Sequence, residues 1–286
     1  MSAPAALVQA LGDAERALVE DPATALNALV LFLGALALVP PCIALVRRMT
    51  PRVPVFFARW RFTQLGLVVA AGIVFASLGV SAMQHFAGGS SDLNSMLGTC
   101  LGLGATCALI AEIARRMDPA GVRSLGLWPG GHARAAGAGV LAYLLCFPAL
   151  LALMFLWPWV YVKLGGEIVQ QPFFDVMAEY SGAKLWLLVL LLVALQPLFE
   201  ELIFRCFVQP LLVQNLGDRG GVALTSLCFA LLHGTTFFLP IFALSLLLGA
   251  LKLRTQRLSA SWAVHALHNG WMVALSLYAG GQAGAA

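Results

Sequence analysis

The residues of this chain best suited to chemistry lie in three short strings near its C-terminal end. The first is Phe199-Glu200-Glu201-Leu202-Ile203-Phe204-Arg205, which follows a run from Leu185 to Phe199 in which Gln196 is the one strongly polar residue. On a helix, Glu201 and Arg205 stand at i and i+4 with the acid before the base, the favourable order for a pair. Glu200 points about 100° away from Glu201 and is left comparatively unpaired. The second string is Phe229-Ala230-Leu231-Leu232-His233. The third is His265-Ala266-Leu267-His268-Asn269, whose first and last residues share a helix face. Counting 1.5 Å per residue from Gln214, Arg219 and Arg257 puts Glu200 and His233 each roughly 20 Å, and His265 roughly 12 Å, inside apolar sequence. An ionisable side chain at such depth costs roughly 2.5–3.5 kcal/mol even on the lenient insertion scale, which makes these residues functional candidates. His268 is offset from the face shared by His265 and Asn269 and is assigned to packing.

A carboxylate beside imidazoles can polarise water, and desolvation makes a carboxylate a stronger base. Glu200 is accordingly the candidate general base, with His233 helping to hold or deprotonate the water. His265 and Asn269 carry hydrogen-bond donors suited to an oxyanion at a tetrahedral centre. The reaction implied is hydrolysis of an amide bond inside a membrane, without a covalent intermediate. It requires no cofactor; a divalent metal on Glu200, His233 and His265 is an alternative, weakened by ligands on three separate helices with no strict spacing. Other intramembrane chemistries have less support. The chain has no HExxH string for a zinc protease. Ser81, in Gly79-Val80-Ser81-Ala82, is the nearest approach to a nucleophilic serine, and Asp92 and Asp218 both fall in predicted loops.

These strings need a scaffold that holds them at depth. The 286 residues are 60% hydrophobic and only 10% charged, with a mean hydropathy of +0.88, where soluble domains carry about 25% charged residues. A soluble globule, a disordered chain, a coiled coil, collagen and a disulfide scaffold are excluded on these figures. The expected fold is all-α: a polytopic membrane bundle of about eight transmembrane helices, with the polar site buried between the C-terminal ones. The candidate spans are 23–46, 62–84, 94–113, 136–161, 184–213, 220–238, 239–254 and 259–279, with Pro40 and Pro41 distorting the first and Pro197 inside the fifth. Residues 1–22 read as an N-terminal amphipathic segment and not as a signal peptide, because Asp13, Glu15, Glu20 and Asp21 outweigh Arg16. Residues 23–279 read as a single transmembrane domain with its motif-bearing core at 184–275, and 280–286 as a flexible Gly-rich tail. The 162–183 segment, with Phe173, Phe174 and Met177 beside Glu167, Asp175 and Glu179, reads as an interfacial loop. The six cysteines form no CxxC pair and read as small hydrophobes.

The net charge of +4 is scattered between apolar runs, so no nucleic-acid partner is expected. Cytoplasmic loops collect Lys and Arg. Arg47, Arg48, Arg52, Arg59 and Arg61 follow the first span, Arg115, Arg116, Arg123 and Arg134 the third. Arg205 and Arg219 mark the end of the fifth, and Lys252, Arg254 and Arg257 follow the seventh, leaving Arg16, Lys163 and Lys184 on the other side. Both termini are therefore expected on the non-cytoplasmic face of a plasma or inner membrane.

The strings EExxxR (Glu200, Glu201, Arg205), FxxxH (Phe229, His233) and HxxxN (His265, Asn269), in this order, resemble the CAAX-protease and bacteriocin-processing (CPBP, or Abi) membrane peptidases. The resemblance covers residues 184–275. It implies an eight-helix, glutamate-type intramembrane endopeptidase in which Glu200 activates water with His233, while His265 and Asn269 steady the oxyanion. Glu201, Arg205 and Phe229 would support them. Members of the family trim prenylated CAAX tails, process bacteriocin-like peptides, confer immunity or cleave C-terminal sorting signals, so the implied partners are the lipid bilayer and a membrane-associated or lipidated protein or peptide. Two rivals stand beside this reading: a non-catalytic peptide-binding or immunity protein on the same fold, and a proton-coupled transporter, for which the expected internal repeats are missing.

Overall fold

Asp21 opens the first helix by accepting hydrogen bonds from the backbone N–H groups of Ala23 (3.1 Å) and Thr24 (3.0 Å), with Pro22 in the first turn. In the computed structural model, which describes residues 21–50, 60–87, 89, 91–168, 177 and 179–283, this gives α1 (Pro22–Leu36). Proline fits a helix only in its first turn, so Pro40 and Pro41 force a restart as α2 (Val39–Met49). The predicted first span is therefore a pair of helices bent by 43°. There follow α3 (Phe62–Phe86), α4 (Asp92–Met117), a 3₁₀ turn (Gly121–Leu125) and α5 (His132–Lys163). The N-terminal segment up to residue 20, the loop carrying Arg52 and Arg59, and residues 169–176 of the predicted interfacial loop lie outside the described residues.

The motif-bearing half has a less regular path. Helix α6 (Gly182–Leu190) widens into a π turn (Leu191–Leu195), continues as α7 (Gln196–Ile203), widens again (Phe204–Val208) and runs on as α8 (Gln209–Leu232). Each π turn ends two residues before a proline, Pro197 or Pro210. A proline offers no N–H and its ring crowds the carbonyl four residues back; a widened turn absorbs that clash without breaking the helix. Gly217 (φ 72°, ψ 173°) is not helical, so the continuous stretch 182–232 is two helices meeting at a break, which divides the fifth predicted span from the sixth. Helices α9 (Phe238–Thr255) and α10 (Leu258–Ala283) complete the chain.

Among the described residues the architecture is all-helical, with five helices long and apolar enough to cross a membrane, or six if the bent pair is one span. Dividing the 182–232 stretch at Gly217 and adding the 26-residue α10 gives every predicted span a helical counterpart. Two boundaries differ. The sixth span stops at Leu232 and not 238, because Gly234 is left-handed (φ 87°) and turns the chain. Helix α10 passes through Gly280 and Gly281, placed in the expected tail, to Ala283; residues 284–286 lie outside the described residues. Asp92 and Asp218 lie at helix ends and not in loops: one opens α4, the other follows the break at Gly217.

Leu26, Val30, Ile73 and Leu78 are exposed on helix faces that suit lipid. Helices α3 and α4 approach through glycines: a Cβ on Gly98 would lie 2.4 Å from Val80 Cα, and one on Gly102 2.5 Å from Ala76 Cα. Gly98 and Gly102 form the small-xxx-small spacing that lets membrane helices touch backbone to backbone. Gly98→Val is expected to cost about 1–3 kcal/mol through overpacking, read as a lowered Tm in detergent micelles. Gly34→Val, in open space, is the control, and equal Tm values for the two would refute this packing. Helix α5 packs in the centre, its Ala135, Ala142, Tyr143 and Leu150 joining Cys42 of α2, Leu248 of α9 and Val264 of α10 in one core.

Candidate active site

Glu200 and Glu201 lie in α7, between the two π turns, and face different partners. Glu201 is fully buried with Arg205, whose Nε donates to Glu201 Oε2 at 3.3 Å. Arg205 Nη2 also donates to Ser245 Oγ at 2.9 Å, and its guanidinium lies 5.1 Å from the centre of the Phe229 ring. The other Glu201 oxygen, Oε1, meets His265 Nδ1 at 3.1 Å, and the Ser261 hydroxyl, which donates to the Leu258 carbonyl at 3.3 Å, lies beside this carboxylate. One buried carboxylate thus ties α7, the following π turn and α10 together.

Glu200 faces a cavity of about 350 Å³ whose wall is largely apolar, with Met154, Phe155, Ile241 and Met272 among its lining residues. Gln196, one turn earlier, donates from Nε2 to Glu200 Oε1 at 2.9 Å. The other oxygen, Oε2, has His265 Nε2 at 3.7 Å and His233 Nε2 at 3.9 Å. Both separations are too long for a direct hydrogen bond and suit a bridging water.

The tautomers follow from the partners on the far side of each ring. His233 caps α8, and its Nδ1 lies 2.7 Å from the Phe229 carbonyl oxygen, which can only accept. His265 Nδ1 faces a carboxylate oxygen. Each neutral ring therefore carries its proton on Nδ1 and turns an Nε2 lone pair toward Glu200. Phe229 serves both rings: it lies 4.4 Å from the His233 ring, 5.7 Å from that of His265 and 5.0 Å from Phe204, centre to centre.

Asn269 also lines the cavity, one turn beyond His265. Its Nδ2 donates to the Leu192 carbonyl at 3.0 Å, and Trp262 Nε1 donates to the Ala194 carbonyl at 3.0 Å. Both carbonyls belong to the first π turn, so α10 takes up backbone acceptors that the widened turn exposes. The second Nδ2 hydrogen of Asn269 remains for another acceptor. His268, assigned to packing, does line the cavity, with Nδ1 3.1 Å from the Tyr143 hydroxyl. Among the described residues no group of three or more His, Cys, Asp or Glu side chains is arranged to hold a metal ion.

The structure thus brings Glu200, His233 and His265 around one point, with Asn269 in the same wall, and places Glu201, Arg205 and Phe229 directly behind them. Gln196, Ser245, Ser261 and Tyr143 complete the arrangement and were not singled out in the sequence. Gln196 stands at i−4 from Glu200, the same spacing that revealed Glu201 and Arg205; the other three carry no sequence signal.

An all-helical bundle with apolar outer faces and a carboxylate between two imidazoles defines an integral, multi-pass membrane protein with a buried polar site. Residues 182–271 match the family model described as Type II CAAX prenyl endopeptidase Rce1-like, a protease family, and the match encloses all three motifs. It agrees with the resemblance to the CPBP peptidases. Neither a curated protein nor a solved structure matches the chain.

Proposed function

We propose that this protein is an intramembrane endopeptidase that cleaves a membrane-associated protein or peptide with water activated by Glu200. The observation that carries the reading is the placement of Glu200 Oε2 opposite two imidazole Nε2 atoms, at 3.7 and 3.9 Å, in a largely apolar cavity. A water held in this gap gives one proton to Glu200 as its oxygen attacks the scissile carbonyl carbon, which leaves a tetrahedral oxyanion. The His233 Nε2 lone pair accepts the second hydrogen of that water and aims its oxygen. When the tetrahedral intermediate collapses, the C–N bond breaks and the proton on Glu200 passes to the leaving amine, so carboxylate is regenerated and no covalent enzyme intermediate forms.

The oxyanion needs donors. Asn269 has a free Nδ2 hydrogen beyond the one given to Leu192. His265 joins it as a donor at Nε2 once the ring has taken a second proton from solvent before the substrate binds, with Glu201 accepting from Nδ1 on its other side. Glu201 therefore orients His265 and balances its charge, and Arg205 holds Glu201 in place. The surrounding apolar wall suits a substrate with an apolar or lipidated segment.

The test compares membrane proteomes of a strain lacking the protein, a strain carrying Glu200→Ala and the wild type. The same precursors are expected to accumulate in the deletion and the Glu200→Ala strains. Normal processing in the Glu200→Ala strain would overturn hydrolysis and leave a peptide-binding or immunity role on the same fold.

A further inference from the structure

The cavity is confined to one half of the bundle. Its lining comes from the part of α5 nearest Lys163, represented by Phe155 and Pro158, and from the opening of α9, represented by Phe237 and Pro240. From α10 it takes His265 and residues beyond, such as Met272. None of the lining lies toward the other ends of these helices, which carry Arg134, Lys252, Arg254 and, just before α10, Arg257.

That basic half is close-packed. Arg205, Gln209, Leu211, Ser245, Leu248 and Ser261 are each 0% exposed. The backbones there also touch: a Cβ on Gly139 would lie 2.5 Å from the Ala260 carbonyl oxygen, and one on Gly249 would lie 2.8 Å from Gln209 Oε1. Nothing the size of a polypeptide passes such a layer.

The opposite side carries the interface markers. Trp157 and Tyr161, near the end of α5, are a stacked pair that ties down the turn just after His233: Trp157 Nε1 donates to the Thr235 carbonyl at 2.9 Å, and the two hydroxyls of Tyr161 and Thr235 are 2.8 Å apart. Trp and Tyr collect at the membrane–water boundary. His233, whose side chain is 33% exposed, thus lies close to the boundary on the face away from the basic loops.

We infer that, among the described residues, the cavity has its entrance on the membrane face opposite the arginine-rich loops, beside Trp157 and Tyr161. Because basic loops mark the cytoplasm, this inference makes the substrate a translocated polypeptide: one anchored by an apolar segment, with its cleavable bond on the non-cytoplasmic side. It rests on the endopeptidase reading for the word substrate, but the direction of entry stands apart from turnover.

Single cysteines test the direction. Phe237→Cys at the cavity mouth and Arg123→Cys in a basic loop are each introduced into the native chain, whose own cysteines are buried or half-buried and give the baseline. Right-side-out and inside-out membrane vesicles are treated with a membrane-impermeant maleimide. Phe237→Cys is expected to label in right-side-out vesicles and Arg123→Cys only in inside-out ones, with the same pattern when each is combined with Glu200→Ala. Labelling of Phe237→Cys from the same side as Arg123→Cys, or its failure to label from either side, overturns the inference. Pro240→Cys repeats the measurement should Phe237→Cys not accumulate. Precursor accumulation in the Glu200→Ala strain is read separately, so entry from the wrong face and absence of hydrolysis are distinguishable results.

Discussion

Arg205→Leu is expected to lower the stability of the protein by about 3–5 kcal/mol, because it strands a buried carboxylate. Glu201 and Arg205 are both fully shielded, and Arg205 is the only formal positive charge bonded to Glu201 while His265 is neutral. Removing it leaves His265 as the remaining hydrogen-bond partner in a low-dielectric interior. Glu201→Gln leaves the reverse orphan, a guanidinium held by Ser245 and the Phe229 ring. The double change, Glu201→Gln with Arg205→Leu, removes both charges and is expected to cost less than either single change, since the desolvation of two ions is relieved at once. Thermal unfolding of the four proteins in the same detergent gives the comparison. Single variants that melt with the wild type would mean that the pair is hydrated and not buried as described. The same experiment bears on the site: Glu201→Gln leaves His265 Nδ1 a neutral amide oxygen in place of a carboxylate, and Arg205→Leu removes the group that holds that carboxylate, so both variants should also lose activity at temperatures where they remain folded.

What could be read in the sequence depended on interactions that are local along a helix. The pairing of Glu201 with Arg205 and the shared face of His265 and Asn269 follow from spacing alone, and both stand in the structure as that spacing requires. The all-helical class follows from composition. The twist applied by Pro197 and Pro210 was not legible: each proline was visible, but whether a helix answers it with a kink, a break or a widened turn depends on neighbours that collect the displaced carbonyls, here Asn269 and Trp262 on α10. The end of the sixth helix just before His233 has a different cause. Apolar residues continue past it through Phe237 and Phe238, which extends the predicted span to 238. Gly234 was the available stop signal, since a glycine just past the last periodic residue favours the left-handed turn that ends a helix. His233 gains its fixed ring from that ending, because a capping residue can fold its side chain back to the Phe229 carbonyl.

Glu200→Gln and His233→Gln are each expected to reduce kcat by about 10²–10⁴-fold, the range for loss of a general base or its partner. The double variant should fall scarcely further. The reason lies in the proposed mechanism: a single water lodged between Glu200 Oε2 and His233 Nε2, 3.9 Å apart, would be both activated and aimed there, and a water that has lost its base gains nothing from being aimed. Groups that act as one unit give such non-additive losses, whereas independent contributions multiply. Glutamine preserves the shape of Glu200 and its contact with Gln196 while removing the negative charge, and it keeps a polar group at position 233, so folding and binding of an apolar peptide should survive in both. Purified protein in detergent, with a peptide found by the precursor comparison, permits kcat and KM to be separated. Losses confined to KM, or single losses that multiply in the double variant, would show that Glu200 and His233 bind substrate separately and do not share the attacking water.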